Sequence, residues 1–253
     1  MALKGDIGLY LSGLPVPVKD CNVILTPPKI KEIVASTGED NFLTAVQIMG
    51  HTDVFVGGLR EGNPELDFLS DFQILLVILR SDLKTKFLIK GLFDLIFPEY
   101  DVQILENSLE FYLKETGNLI FVMNPFNFES FQEILIELFE PAFSKNEEFN
   151  PIDDKAKEIA EKIKRGRDRV NKMKKSGERA GSKSLFATQT SILSVGLGID
   201  INIFYNYTPF QLHDAFIRFT SKMASDFYQR VSSMPLLDTS KMEAPEEWTR
   251  GLY

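Results

Sequence analysis

The chain has little of what disulfides, zinc sites and membrane spans require. Its 253 residues include one cysteine, Cys21, and two histidines, His51 and His213. A single cysteine excludes an intrachain disulfide, which fits a reducing cytoplasm, and two isolated histidines do not predict a zinc site. No apolar run reaches the roughly 18 residues of a membrane-spanning helix, and residues 1–14 lack the basic and apolar regions of a signal peptide. We therefore expect no membrane association.

Motifs of the common enzyme classes are also missing. The sequence contains no Gly-x-Ser-x-Gly nucleophile elbow and no Walker A loop. The Gly-Leu-Gly of residues 196–198 lacks the third glycine of a dinucleotide loop and follows no predicted strand, so we interpret it as a break between two helices. Nothing around Cys21 marks a nucleophile, although a pair with His51 or His213 stays open. We expect a protein without catalytic activity, metal or cofactor.

The charge of the chain is unevenly distributed. The formal net charge is -8, yet residues 155–183 hold twelve Lys or Arg against four Asp or Glu. This segment predicts a basic helix that is either solvated or faces a partner: a phosphate backbone, an acidic protein surface or the chain's own acidic remainder. Nucleic acid is disfavoured, because the rest of the chain is acidic and no aromatic residue in the segment offers a stacking platform.

The periodicity of apolar residues predicts an α+β fold that is predominantly helical, with a small antiparallel sheet in the N-terminal half and a helical C-terminal half. With 44% hydrophobic residues the chain can bury a substantial core. Extended segments separated by turn residues predict three strands, at 100–105, 109–113 and 119–123. Helical spacing predicts helices at 29–36, 41–49, 64–97 (two helices), 128–139, 155–175, 185–195 and 209–232.

Two stretches rich in glycine or proline are predicted to lack helix. Residues 1–26 predict short extended pieces with a strand at 23–25, and residues 51–63, which contain three glycines, predict a loop.

Phenylalanine is abundant, with twenty-one residues, and nearly all of them are predicted to lie in the core, with Phe126 and Phe128 as exceptions. Phe68 and Phe87 belong to the predicted buried faces of the helix pair at 64–97. The predicted buried stripe of the last helix consists of Phe210, Leu212, Phe216, Phe219, Met223 and Phe227. His213, among these aromatic residues, is typical of a core or helix-surface histidine.

These elements divide the chain into four predicted segments. Residues 1–141 form a mixed α+β domain, residues 142–154 an acidic linker, residues 155–234 a helical domain that begins with the basic helix, and residues 235–253 a flexible tail. The tail carries the only tryptophan, Trp248, which either docks back onto the body of the protein or waits for a partner. The pattern leaves open whether the two halves pack together.

Four sequence elements stand out near the C-terminal end. They are Leu-Gly-Ile-Asp-Ile-Asn at 197–202, Asn-Tyr-Thr-Pro-Phe-Gln-Leu at 206–212, Phe-Ile-Arg-Phe at 216–219 and a tryptophan near the end, Trp248. Together with the preceding basic helix, residues 184–253 resemble the C-terminal half of tail-assembly proteins of long-tailed bacteriophages that infect Gram-positive bacteria.

The resemblance implies a tail-assembly chaperone that acts during virion morphogenesis in the host cytoplasm. Such proteins hold the long tape-measure protein soluble and help to recruit tail-tube subunits onto it, without a cofactor and without covalent chemistry. Two alternatives stay open. One is a structural tail or baseplate protein retained in the virion, because this chain carries a large mixed N-terminal part, and the other is a nucleic-acid-binding module that uses the basic helix.

A chaperone that holds helices needs exposed apolar stripes and a charged surface. Three regions are candidates for binding a partner: the last helix with Phe210, Phe216 and Phe219, the basic helix with Lys164, Arg165 and Arg169, and the tail with Trp248, Leu252 and Tyr253. We expect the tail from Leu236 to Tyr253 to contact a partner or a neighbouring copy through Trp248, so a homo-oligomer is among the expected assemblies.

Overall fold

Helices form most of the residues that the structure describes, and the two sheets among these residues are small. The computed structural model describes residues 6–19, 21–60, 63–139 and 184–234. The helices are α1 (Ile7–Ser12), α2 (Ile30–Ser36), α3 (Glu39–Gly50), α4 (Thr52–Arg60), α5 (Asp71–Ser81), α6 (Leu83–Ile96), α7 (Phe128–Phe139), α8 (Leu185–Leu197), α9 (Ile201–Phe204) and α10 (Pro209–Ser232). A 3-10 turn spans Pro64–Phe68, and the strands are β1 (Val16–Pro17), β2 (Ile24–Leu25), β3 (Tyr100–Ile104), β4 (Leu109–Leu113) and β5 (Leu119–Met123).

Both sheets are antiparallel and lie in the N-terminal half, as predicted. Strands β1 and β2 form a two-stranded ribbon, and β3, β4 and β5 form a meander in chain order. In the meander, Phe111 at the centre of β4 lies opposite Val102 of β3 and Phe121 of β5. Gly117, with a φ of 68°, makes the turn between β4 and β5. The α+β, mostly helical fold class is therefore confirmed.

Four phenylalanine rings join this sheet to the helices that cover it. Phe93 of α6, Phe97 at the C-terminal cap of α6, Phe111 of β4 and Phe131 of α7 are all buried. The centroid of Phe97 lies 5.1 Å from that of Phe111 and 6.0 Å from that of Phe131, and Phe93 is 6.1 Å and 6.3 Å from the same two rings. These are favourable separations for aromatic pairs, so the cluster forms the centre of the core.

A helix replaces the extended structure that the first residues predicted. Asp6 caps α1 by accepting the backbone N–H groups of Gly8 at 2.9 Å and Leu9 at 3.3 Å. Gly13, with a φ of 68°, then ends the helix in the left-handed conformation. Gly13 is thus a C-terminal cap, because six residues of helix fit between it and Asp6.

Helix α4 is the second helix that the sequence did not predict, and it lies in residues 51–63, which were predicted to form a loop. Its glycines weaken a helix by up to about 1 kcal/mol each, but tertiary contacts outweigh that cost. Val56 of α4 is buried. The guanidinium of Arg60 lies 2.7 Å from the carboxylate of Asp71 at the start of α5, and it donates to the carbonyl oxygen of Leu69 at 2.7 Å.

The predicted buried faces of the 64–97 region are partly wrong. Phe68 is 92% exposed and Phe87 is 70% exposed. Apolar side chains lie on more than one face of α6, and the face that packs inward consists of Thr85, Ile89, Leu92, Phe93 and Ile96. Of the two expected exceptions, Phe126 is exposed as predicted, whereas Phe128 is buried.

The C-terminal helices pack on the N-terminal half, which settles the question that the sequence left open. The backbone N–H groups of Ile30 and Lys31 donate to the carbonyl oxygens of Tyr207 at 2.9 Å and Tyr205 at 3.0 Å. At the start of α8, the carboxylate of Glu39 accepts the backbone N–H of Phe186 at 3.1 Å. Residues 185–234 therefore belong to the same compact unit as the described N-terminal residues.

The first turn of α10 is closed by a capping box that also reaches another helix. Thr208 and Gln211 exchange hydrogen bonds: the Thr208 hydroxyl accepts the Gln211 N–H at 3.3 Å, and Gln211 Oε1 accepts the Thr208 N–H at 2.8 Å. Gln211 Nε2 donates to the carbonyl oxygen of Leu11 at the end of α1, at 2.8 Å. Ser70 and Gln73 form the same box at the start of α5.

We expect Gln211→Glu to lower the free energy of unfolding by about 1–3 kcal/mol, because the new carboxylate still caps α10 but leaves the carbonyl of Leu11 without its donor. Gln73→Glu is the matched control, and it should change stability by less than about 0.5 kcal/mol, since a carboxylate is well tolerated in a first helical turn. Urea unfolding followed by circular dichroism measures both variants. Equal effects would show that Gln211 acts as a cap alone.

Candidate functional site

Helix α10 carries a row of apolar side chains along its whole length. Successive members lie three or four residues apart, so the row keeps to one face of the helix. The row consists of Leu212, Phe216, Phe219, Met223, Phe227, Val231 and, just beyond the helix, Met234.

The first part of α10 lies in the core. Phe210 is buried, and its ring makes an edge contact with Tyr10 of α1, with the centroids 5.5 Å apart. The Tyr10 hydroxyl donates to the carboxylate of Glu137 in α7 at 2.7 Å. Burial, together with this hydrogen bond, raises the pKa of Tyr10 above its ordinary value, so the hydroxyl stays a proton donor. Three helices are thereby fixed at the start of α10.

The middle of α10 meets the end of α8 at a glycine. A Cβ atom on Gly196 would lie 2.1 Å from Cζ of Phe219 and under 3 Å from both adjacent ring carbons. The Phe219 ring therefore lies directly on the α8 backbone, which only glycine permits. This contact marks the level at which α8 ends, one residue further on at Leu197.

Beyond this contact the apolar row continues on the surface. The exposed fraction is 53% for Met223, 63% for Phe227 and 50% for Met234, and no residue between 215 and 234 is buried. We call these three side chains the distal stripe. Because Met223 and Phe227 continue the row that is covered at Phe219, the distal stripe is an uncovered extension of an internal helix contact.

A second group of exposed apolar residues adjoins α8 and α9. Its members are Ile192, Val195, Leu197, Ile199, Ile201 and Ile203. The backbone here explains the Gly-Leu-Gly break. Gly198 adopts a φ of 66°, and the N–H of Ile199 donates to the carbonyl of Ser194 at 3.2 Å, a Schellman stop. Asp200 then caps α9. Residues 197–202 therefore end one helix and begin the next.

Two buried polar side chains lie in the described C-terminal helices without a full set of partners. Nδ1 of His213 and Oε1 of Gln189 are buried and accept or donate no hydrogen bond. Burial lowers the pKa of His213 to about 4, although the adjacent Asp214 acts in the opposite direction. The carboxylate of Asp214 is itself paired with the guanidinium of Arg218 at 2.9 Å. His213 is thus neutral near pH 7 and belongs to the core, one of the two positions that the sequence indicated.

An open cleft with an acidic lining lies between the start of α4 and α7. Asp53, Asp71, Glu129 and Glu133 contribute carboxylates to it. The described residues contain no group of three or more His, Cys, Asp or Glu side chains that could hold a metal ion. Gln132, also in this lining, donates to the carbonyl of Met49 at 2.9 Å, which ties α7 to the end of α3.

The residues considered for nucleophilic chemistry lie on different elements. The thiol of Cys21 lies 3.8 Å from the carbonyl oxygen of Asn127. His51 follows the last residue of α3, and His213 is buried in α10.

The predicted partner-binding residues divide into three groups. Phe210 is buried, so its ring is a core residue, while Phe216 and Phe219 are half-buried along the apolar row of α10. The other six predicted positions lie outside the residues that the structure describes: Lys164, Arg165, Arg169, Trp248, Leu252 and Tyr253.

In α10, Met223 and Phe227 are exposed although the sequence reasoning assigned them to the core. Their spacing matches that of Phe216 and Phe219, so periodicity alone places all four on one buried face. The end of α8 separates the first pair from the second. It lies at the level of Phe219, so α8 does not cover α10 beyond that residue.

No protein-family model, characterised protein or solved structure matches this chain. Among the residues that the structure describes, no helix combines the length and the apolar character needed to cross a bilayer.

We expect Gly196→Ala to lower the free energy of unfolding by about 1–3 kcal/mol, because the added methyl displaces the Phe219 ring from α8. Gly57→Ala in α4 is the control: its Cβ meets no atom within 4 Å, so the better helix propensity of alanine should raise stability by up to about 1 kcal/mol. In a Phe219→Ala background the Gly196→Ala change should no longer destabilise. A double-mutant cycle by urea unfolding checks this, and additive effects would contradict the contact.

We also expect acid to destabilise the protein through His213. Its pKa is about 4 when folded and near 6.5 when unfolded, so its contribution is complete above pH 6.5 and is lost as the pH falls towards 4. This loss amounts to up to about 3 kcal/mol. Unfolding free energies measured across this range should depend less on pH in His213→Gln than in the wild type. An unchanged slope in His213→Gln would contradict the assignment.

Proposed function

We propose that the protein is a tail-assembly chaperone of a long-tailed bacteriophage, which holds helices of the tape-measure protein at the distal stripe and helps to recruit tail-tube subunits. The observation that carries the proposal is the apolar row of α10, which is covered by α1 and α8 up to Phe219 and is open from Met223 to Met234. The resemblance of residues 184–253 to phage tail-assembly proteins supplies the class of partner.

The geometry of the stripe suits a helical partner. An amphipathic helix presents apolar side chains at intervals of three and four residues, and a row with the same intervals receives it along one face. Two of the three side chains of the distal stripe are methionines, whose flexible thioethers adapt to different apolar neighbours. A surface of this kind accepts many similar segments, which a long helical tape measure provides.

The size of the stripe indicates weak, reversible binding at each contact. Fully burying a Met or Phe side chain contributes about 1.5–3 kcal/mol, and these three side chains are already about half-buried. Their remaining burial supplies roughly 3–4 kcal/mol before the cost of association is subtracted, so a single stripe binds no more tightly than the millimolar range. Several copies bound along one tape measure gain affinity through multivalency and still release one by one. This behaviour favours a transient holder over a retained structural protein.

Charges beside the stripe keep such a complex in solution. Lys222, Asp226 and Arg230 form the neighbouring row of α10, at i, i+4 and i+8. A bound helix covers the apolar row, and this charged row stays hydrated at its edge. The proposal places the protein in the host cytoplasm during assembly and requires neither an enzymatic activity nor a cofactor.

The test is co-expression with the tape-measure protein of the same phage, followed by affinity pull-down. We expect the double variant Met223→Ser, Phe227→Ser to lose most of the captured tape-measure protein, because its stripe no longer offers an apolar surface. Phe87→Ser is the matched control, since Phe87 is a similarly exposed phenylalanine on helix α6. It should capture as much tape-measure protein as the wild type.

Mass spectrometry of purified virions separates the chaperone from the structural alternative. Binding to the tape measure together with absence from finished particles is the expected result. A constant copy number in particles would identify a tail or baseplate protein instead. Capture that is equal in the stripe variant and the wild type would show that the distal stripe is not the binding surface.

A further inference from the structure

The distal stripe of α10 is bordered by the charged side chains of Asp226 and Arg230. Asp226 lies three residues after Met223, and Arg230 lies three residues after Phe227, so each adjoins the stripe on the helix surface. Within the residues that the structure describes, neither the carboxylate of Asp226 nor the guanidinium of Arg230 forms an ion pair or a side-chain hydrogen bond. One anion and one cation beside an exposed apolar stripe are therefore available to another molecule.

We propose that two copies of the protein associate through the distal stripe, with their α10 helices antiparallel and a two-fold axis between residues 228 and 229. Met223 of each copy then packs beside Met234 of the other. Phe227 of each copy lies opposite Arg230 of the other, and the same guanidinium reaches Asp226. Every contact occurs twice, as two-fold symmetry requires.

Charge selects this orientation of the two helices. In the antiparallel pair, Arg230 of one copy meets an aromatic ring and a carboxylate of the other, so its charge is compensated by a cation–π contact and an ion pair. In a parallel pair, each residue of the stripe meets its own equivalent, and the two Arg230 side chains face each other. Like charges at this distance repel. The surface is therefore complementary to itself in the antiparallel orientation.

The interface is short, which makes the dimer weak and reversible. From Met223 to Met234 the helix covers about 16 Å, and the stripe with its charged border offers five side chains from each copy. A stable interface buries about 800 Å² on each partner, from roughly 20–30 residues. The dimer therefore covers the stripe at high protein concentration and yields it to a longer apolar helix.

This inference uses the same surface as the proposed function but does not depend on the identity of the partner. Sedimentation equilibrium of the purified protein tests it without any other component. We expect the average mass to rise from that of one copy towards that of two as the protein concentration increases. A wild type that stays monomeric at every concentration would overturn the proposal.

Charge reversal tests the ion pairs between the copies. Asp226→Arg gives each copy two adjacent cations, and Arg230→Asp gives each copy two adjacent anions, so each variant alone should associate roughly tenfold or more weakly than the wild type. An equal mixture of the two variants should restore association, because every arginine then meets an acid. A mixture that associates no better than its components would overturn the proposed pairing.

Asp94→Arg is the matched control for charge reversal. Asp94 is also exposed, but it lies on α6, away from the distal stripe. The variant should associate as the wild type does. Circular dichroism of all three variants checks that their helices remain folded.

Disulfide crosslinking tests the orientation of the helices. In a Cys21→Ser background, a mixture of Met223→Cys and Met234→Cys should form a crosslinked dimer on mild oxidation with diamide, because these positions are adjacent across the antiparallel pair. Met223→Cys alone should crosslink several-fold less, since its two copies lie about 16 Å apart along the pair. Equal crosslinking in the single variant and the mixture would overturn the antiparallel arrangement.

Capture of the tape-measure protein separates this inference from the proposed function. A wild type that dimerises, with capture unchanged by Met223→Ser, Phe227→Ser, would contradict the proposed function and preserve the dimer. A monomeric wild type whose capture is lost in the same variant would do the reverse.

Discussion

The anchoring of the first turn of α10 determines what the rest of the C-terminal region can do. Gln211 closes the capping box and donates to the carbonyl of Leu11, while Phe210 packs on Tyr10 inside the core. Tyr10 is in turn bonded to Glu137 of α7. A helix is stiff over its length, so fixing one end in three places sets the direction of the whole element. The distal stripe is held at a defined position although none of its own residues is buried.

This arrangement separates stability from binding along a single helix. Up to Phe219 the apolar row of α10 contributes to the fold, and the ring of Phe219 lies against the α8 backbone at Gly196. From Met223 onward the same kind of row faces away from the described core. Substitutions in the outer part leave the packed contacts intact, so a surface for partners can change without loss of the fold. The neighbouring charges keep that surface compatible with water.

The proposed function depends on a small surface. Each contact with a partner helix would be weak, because the distal stripe offers little more than Met223, Phe227 and Met234. Weak contacts allow rapid exchange along a long partner, which is what a transient holder of the tape measure requires.

The sequence by itself determined the elements whose signals are local. The three strands at 100–123 and the capped start of α10 follow from turn residues and from the spacing of Thr208 and Gln211, which act within a few residues. Only the tertiary structure decided which apolar face is covered. Glycine-containing α4 forms because α5 packs against it, and Phe227 is exposed because α8 ends before it. Periodicity gives the face of a helix but not the length of its neighbour, since that length is set by residues distant in the chain.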